Sequence, residues 1–292
     1  MGKLFVLLLI LILYVFDRRN FVTPEKTMEL RNSLTTESGL VLWDDRLWAH
    51  NDREDRGLYS LDPSDGEILD YYLLGDEIWP RPEWEDISQD EEFIYVGDMG
   101  NNSSGNRRDL HILRFSKEAI LQNDPVADTI RYSYSDQVNF HPIFPNTTRF
   151  DCEAMFVTAD SIYLFTKQWI RGKTSVYSLP KSPGTYQARL KSTHYVGGLI
   201  TGATRHHETE RVVLSGYSFF FQPFLIILSD YSDNNYFTGN KQKIKVDLPF
   251  HQIEGVATRD GIRYYLSNER SFIPKVHKCQ KLHLVDLERY LN

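Results

Sequence analysis

Cysteine is nearly absent from this chain. Only Cys152 and Cys279 occur among 292 residues, which excludes a scaffold built on disulfides and any Cys-x-x-Cys redox or metal centre. One bridge between the two is open, and the alternative is two buried thiols packing as small apolar groups. Basic runs are missing as well: Arg18-Arg19 and Arg107-Arg108 are no more than pairs, and the formal net charge is −7. Binding to a phosphate backbone depends on clustered Lys and Arg, so a nucleic-acid partner is excluded. There is no Gly-x-Ser-x-Gly elbow, no His-Glu-x-x-His and no Gly-rich phosphate loop. No enzyme class is declared by motif.

A comfortable bilayer span is lacking too. Leu4 to Phe16 is a run of thirteen apolar residues between Lys3 and Asp17-Arg18-Arg19, short of the ~20 that a spanning helix needs. Residues 1–19 are expected to be a signal peptide or, because no small-x-small site follows the run, a retained N-terminal membrane anchor. Residues 20–26 are then a tether and 27–292 one folded domain. The protein is expected to be exported to the periplasm or cell surface, monomeric, and in contact with the membrane only through this segment.

Aromatic residues are what the chain has in quantity. The 17 Tyr, 17 Phe and 5 Trp suit pleated, half-buried strands and the faces between packed sheets. They fall into a repeat, in which a polar knot opens an apolar hairpin that closes on a second polar knot. The openings are Glu37-Ser38-Gly39-Leu40, Glu85-Asp86-Ile87, Glu153-Ala154-Met155, Thr201-Gly202-Ala203 and Glu254-Gly255-Val256. The closings are His50-Asn51-Asp52, Gly97-Asp98, Thr166-Lys167, Gly216-Tyr217 and Ser267-Asn268-Glu269.

A strand-built repeat at a period of roughly 40–65 residues is the signature of a β-propeller. The expected fold is therefore all-β, a β-propeller of four-stranded blades, five by the count of knots and six if the long second unit hides a degenerate blade. That unit also carries a helical turn at Ser116 to Leu121 and a loop from Asp136 to Arg149, whose prolines forbid a strand. The fifth unit lacks a fourth strand. Thr27 to Leu34 is expected to supply it and close the ring.

In such a blade the first strand lies innermost and the second returns antiparallel, so all openings and closings should meet at one mouth of the central channel. Four of the five openings read as carrying a glutamate at the equivalent place. Carboxylates this dense ionise together only around a shared cation, or else their pKa values rise. Calcium takes six to eight oxygens from carboxylates, Asn and carbonyls, and Glu37, Asp52, Glu85, Asp98, Asn101 and Glu254 are its candidate ligands. The structural alternative is that these acids accept backbone N–H bonds and staple neighbouring blades.

His50, Lys167 and Glu153 are the candidate proton-transfer residues, with His251 a further one. Asn51, Asp86, Asp151, Tyr217, Asn268 and Glu269 are candidate ligand contacts. His206-His207 reads as a solvated turn. Thr201 and Tyr217 break the acidic pattern in the fourth unit and mark a side for ligand access.

Several of these segments, in order, carry a resemblance: Glu37-Ser38-Gly39-Leu40, His50-Asn51-Asp52, Trp84-Glu85-Asp86-Ile87, Tyr95 to Asn102, Asp151-Cys152-Glu153-Ala154 and Ile253-Glu254-Gly255. The chain resembles a group of exported bacterial propeller proteins found in Bacteroidetes and similar to phytase-like propellers. More remotely it resembles the calcium-dependent lactonase and esterase propellers of the regucalcin and paraoxonase types. That remote resemblance implies a central calcium, with Glu37, Asn101 and Glu254 as counterparts of its ligands, and hydrolysis of a lactone, ester or phosphate ester at the metal.

Likeness of fold does not transfer activity. Two functions are therefore carried forward. One is a calcium-dependent hydrolase. The other is a non-catalytic cell-surface binding or scaffold propeller, taking a small-molecule or glycan ligand with the help of the aromatic stretch Tyr217 to Phe221.

Overall fold

The strands follow the hairpin repeat. The computed structural model describes residues 20–31, 33–53, 55–74, 83–269 and 280–291. Two short strands, β1 (Phe21–Val22) and β2 (Lys26–Glu29), precede the first hairpin. Blade one is β3 (Glu37–Trp43), β4 (Arg46–Asn51), β5 (Gly57–Leu61) and β6 (Ile68–Leu73), paired antiparallel in that order. Blade two is β7 (Trp84–Gln89), β8 (Phe93–Asp98), β9 (His111–Ser116) and β10 (Asp128–Tyr134). Blade three is β11 (Cys152–Val157), β12 (Ser161–Thr166), β13 (Lys173–Pro180) and β14 (Gly184–Tyr195). Blade four is β15 (Leu199–Arg205), β16 (Val212–Tyr217), β17 (Pro223–Ser229) and β18 (Asn240–Val246). Blade five is β19 (Ile253–Thr258), β20 (Arg263–Asn268) and β21 (Lys281–Asp286), completed by β2.

The innermost strands β3, β7, β11, β15 and β19 touch in cyclic order, and β19 returns to β3. The protein is a five-bladed β-propeller. The long second unit holds no sixth blade. Its extra residues go into the helix α1 (Lys117–Leu121), capped by the Ser116 hydroxyl, and into the loop of residues 135–151.

The ring closes as β2 pairs antiparallel with β21, Thr27 opposite His283 and Met28 opposite Leu282. The closing strand is thus Lys26–Glu29, shorter than the expected Thr27 to Leu34. Within 20–26, expected as a tether, Phe21–Val22 adds to the outer edge of blade four, parallel to β18. The expected signal or anchor, 1–19, lies outside the described residues, and among those described no helix is long and apolar enough to cross a membrane.

Packing explains the burial pattern. An inner strand has a neighbouring blade on each face, and β11 is buried along its whole length. The outermost β14 is half-buried or exposed except at Ala188, which is buried. Five apolar clusters fill the five seams between blades, for example Tyr95, Ile112, Met155 and Tyr177 between blades two and three. At the rim of that seam the first half of β14 pairs parallel with β10, Ile130 opposite Gly184 through Tyr134 opposite Ala188. Both edges are thereby covered. Cys152 is buried in the same seam, its thiol against the carbonyls of Ala154 and Phe165. Cys279, its candidate partner, lies outside the described residues.

Near the axis the blades are held by polar bonds. Asp86 of blade two accepts from Ile87 N–H at 2.8 Å and from Met155 N–H of blade three at 2.7 Å. The Asp86 side chain thereby ties the first strand of blade two to that of blade three. Gly39 of blade one, at φ +73°, allows its close approach to blade two: a Cβ there would stand 2.7 Å from Ile87 N.

Asp86→Ala leaves those buried N–H groups unsatisfied. The expected loss is about 3 kcal/mol or more of unfolding free energy, read from urea denaturation, and a loss under about 1 kcal/mol would show that this carboxyl is not a structural tie.

Candidate functional site

Every first strand carries a β-bulge near its start: the register slips between Ser38 and Leu40, Trp84 and Asp86, Cys152 and Ala154, Ile200 and Gly202, and Ile253 and Gly255. A bulge re-aims the side chain beside it. Glu85, Glu153, Thr201 and Glu254 occupy this place in blades two to five. In blade one, Glu37 pairs with Asn51 as Ile253 pairs with Asn268, so the counterpart of Glu254 is Ser38.

Three openings, not four, therefore carry a glutamate at the equivalent place. Ser38 and Thr201 are staples instead: the Ser38 hydroxyl donates to Glu85 O at 3.1 Å and that of Thr201 donates to Ile253 O.

The first-strand starts and second-strand ends do meet at one mouth. A cavity of about 590 Å³ opens there and is lined by all five blades. Blade one supplies Glu37, Asp52 and Arg53, blade two Glu85, blade three Glu153, Lys167 and Trp169, and blade five Glu254 and Glu269. Blade four supplies Tyr217, Ser218, Phe219 and Phe221. The acid-poor side is thus an aromatic wall and not a gap, since Tyr217 is buried and stacks on Phe221 at 5.9 Å.

Of the expected site residues, Glu37, Asp52, Glu85, Glu153, Lys167, Tyr217, Glu254 and Glu269 line this cavity. The others are not brought to its wall. Asp98 lies with Arg107, at 2.7 Å, and His111, at 3.7 Å. Asn101 binds Phe150 O at 3.1 Å and accepts from Arg107 N–H at 3.0 Å. Asp151 accepts from Asn101 N–H and from Trp169 Nε1, each at 2.7 Å, and so stands behind the cavity wall. Asn51 bonds to Ser33 O and Asp55, at 2.9 and 2.8 Å, and Asn268 to Glu269 O and His283, both at 2.9 Å.

His50 is fully buried with its ring edge-on to Trp84, and Nδ1 lies 3.1 Å from Asn51 O. His251 is likewise buried, Nδ1 at 3.1 Å from Pro249 O. His206, expected as solvated, is buried on the opposite face, where Nε2 lies 3.1 Å from Arg259 O and ties the hairpin tips of blades four and five.

Arg53, Trp169, Gln252 and Phe219 belong to the cavity without having been singled out individually. Arg53 pairs with Asp52 at 3.0 Å, and Gln252 donates to Glu269 at 3.0 Å. Their signal was position alone: Arg53 follows directly on the closing knot of blade one, and Trp169 stands two residues after that of blade three.

Electrostatics dominate this cavity. Lys167 Nζ lies 2.9 Å from Glu153 Oε2 and 4.4 Å from the Trp169 ring centroid. Burial alone would lower this ammonium's pKa, but Glu153, Tyr217, Glu254 and Asp151 hold it well above the usual lysine value. Burial pushes Glu37 up to about 8, with Ser267 opposing and Glu269 adding to it. Burial also pushes Asp52 up to about 8, against Arg53 and with Glu153, Glu83 and Glu269. Glu85 and Glu254 rise well above the carboxylate range, again through burial first, then neighbouring acids, with Lys167 opposing. Glu85 Oε1 is buried without a hydrogen-bond partner, packed so closely on Gly100 that a Cβ there would stand 2.0 Å away. Such clusters of displaced pKa values mark candidate sites of function.

No family model matches the sequence, and no curated protein matches it either. Solved structures share its fold. The glutaminyl cyclase of Myxococcus xanthus superposes with a TM-score of 0.54 at 10% identity, over 91% of this chain and 97% of that one. The WD40 repeats of RRP9 superpose with a TM-score of 0.51 at 7% identity, over 90% and 98%. Both likenesses are of fold, and they support the β-propeller class.

The raised acids predict a pH dependence. Glu37 and Asp52 titrate near 8 in the fold and near 4.5 and 3.8 otherwise, so native protein keeps protons that unfolded chain has lost. Their stabilisation is complete below those ordinary values and disappears as the pH rises through about 8. His50, lowered by burial to about 4 from 6.5, has the opposite slope below 6.5. Between pH 6.5 and 8 stability should therefore fall, and fall less in Glu37→Gln and Asp52→Asn. A flat profile in urea melts across that window would overturn the assignment.

Proposed function

We propose that the mouth cavity binds a small organic cation, with its carboxyls placed to exchange protons with the bound molecule. One observation carries this. Glu85 Oε1 is buried and unpartnered at a cavity of about 590 Å³, where Glu37, Asp52, Glu85, Glu153, Glu254 and Glu269 face Lys167 and Arg53. A buried carboxyl oxygen without a hydrogen-bond partner is costly in either protonation state, and an entering ammonium group favours the ionised form and satisfies it through charge-assisted hydrogen bonds.

The oxygens surround a volume of small-molecule size. Among the described residues, no three His, Cys, Asp or Glu groups are set to hold one metal ion. A multi-donor ammonium reaches separated oxygens without their converging. Trp169, Tyr217 and Phe219 supply ring faces for the cation and apolar contact for the rest of the ligand.

Calcium-dependent hydrolysis of a lactone, ester or phosphate ester is the second reading, favoured by the excess of carboxylate oxygen at the cavity. Glu37, Asp52, Glu85 and Glu254 would hold the cation after side-chain rotation, and a bound calcium supplies Lewis-acid polarisation of a carbonyl or phosphoryl oxygen. Asp52 and Glu37, titrating near 8, lie in the range of a general base. A non-catalytic binding role uses the same cavity and differs in turnover alone.

Calorimetric titration with n-butylamine and with calcium chloride separates these readings. The amine should bind in the millimolar range, on the order of −4 kcal/mol, and roughly tenfold more weakly to Glu85→Gln and Glu254→Gln. Tight stoichiometric calcium binding that the amine does not displace would put the second reading in place of the first. Binding of neither ligand would remove both.

A further inference from the structure

The mouth face differs from the opposite face in a way that the cavity does not require. On the opposite face the tips of the inner hairpins are polar: Asp44-Asp45, Asp90-Glu91-Glu92, Asp160, Glu208-Thr209-Glu210 and Arg259-Asp260. Around the mouth, large apolar side chains stand in solvent. Phe220 is 85% exposed, Phe144 84%, Ile170 68% and Phe250 52%. Each is tied to the cavity rim: Phe220 lies between lining residues Phe219 and Phe221, and Ile170 follows Trp169. Phe250 donates its N–H to Phe221 O at 2.8 Å. Phe144 sits two residues before Asn146, which lines the cavity and donates its N–H to Asn102 O at 2.8 Å.

The loop carrying Phe219 and Phe220 is built and not loose. The Ser218 hydroxyl accepts from the N–H groups of Phe220 and Gln222, each at 3.2 Å, and Phe221 N–H donates to Ser218 O at 2.8 Å. Fixed apolar groups around a polar cavity mark an interaction surface.

We propose that this face docks the end of an extended polypeptide, its amino-terminal ammonium in the cavity against Glu85 and Glu254 and its next apolar side chains on Phe144, Ile170, Phe220 and Phe250. This rests on the organic-cation reading above and adds the class of ligand. Charge complementarity favours it: the acidic mouth attracts an ammonium, and apolar residues next to that ammonium meet an apolar rim. The cavity takes a residue or so, while the rim lies beyond it, so a ligand using both is chain-like. A lipid surface fits less well, because an acidic mouth on a chain of net charge −7 is repelled by anionic headgroups.

The test uses the full chain in mild detergent and a synthetic pentapeptide with a free amino terminus and apolar second and third residues. Its N-acetylated twin and n-butylamine are the controls. The free peptide should bind at least about tenfold more tightly than butylamine and than its acetylated twin. The double variant Phe144→Ser/Phe220→Ser should weaken the peptide by roughly fivefold or more and leave butylamine unchanged. If butylamine binds and the peptide binds no better, or if the acetylated twin binds equally, docking of an amino terminus is overturned and the cavity reading stands. If neither binds, the cavity reading falls with it. Peptide-independent capture of zwitterionic vesicles that is lost in the double variant would assign the rim to a lipid surface and overturn the proposal.

Discussion

The Asp86 carboxyl, buried near the axis, ties blade two to the backbone of blade three. A ring of sheets held only by apolar packing between neighbours would leave its centre under-determined, since hydrophobic contact is non-directional. Backbone donors from blades two and three converge on this one side chain, and Ser38 and Thr201 add one hydroxyl bond each to the next blade. Burial pushes the Asp86 carboxyl well up, and its backbone N–H donors offset only part of that.

At the mouth the chemistry changes character. The bulges turn Glu85, Glu153 and Glu254 toward the mouth, where strand geometry no longer offers them backbone partners of the kind that Asp86 has. Lys167 meets Glu153, and burial raises the carboxyls of Glu37, Asp52, Glu85 and Glu254. Acidic side chains thus take backbone N–H donors at Asp86 and a lysine at Glu153, while Glu85 keeps an unpartnered oxygen.

Much of this was legible in the sequence. Blade number, the helical turn after Ser116 and the convergence of knots all follow from strand periodicity and turn chemistry, which are local. The bulge register was not legible, and it moved Glu37 one place off the glutamate position and put Ser38 there. Nor could periodicity tell which polar groups would be consumed by their own loops. Asp98 and Asn101 sit in a dense Asp/Asn stretch suited to metal binding, yet Arg107, nine and six residues on, folds back onto both. His206 looked solvated because its hairpin tip is polar; its burial depends on Gly261 of the next blade, where a Cβ would stand 2.6 Å from its Nδ1.

The parallel pairing of β10 with β14 has a mechanical meaning. It joins blades two and three into one eight-stranded plate, and Glu85, Glu153, Lys167 and Trp169 all come from its strands and loops. The short β2 strand completes blade five, which carries Glu254, through four residue pairs. The ion pair and the indole therefore stand where two blades share backbone pairing, and Glu254 belongs to the blade completed by a strand from the other end of the chain.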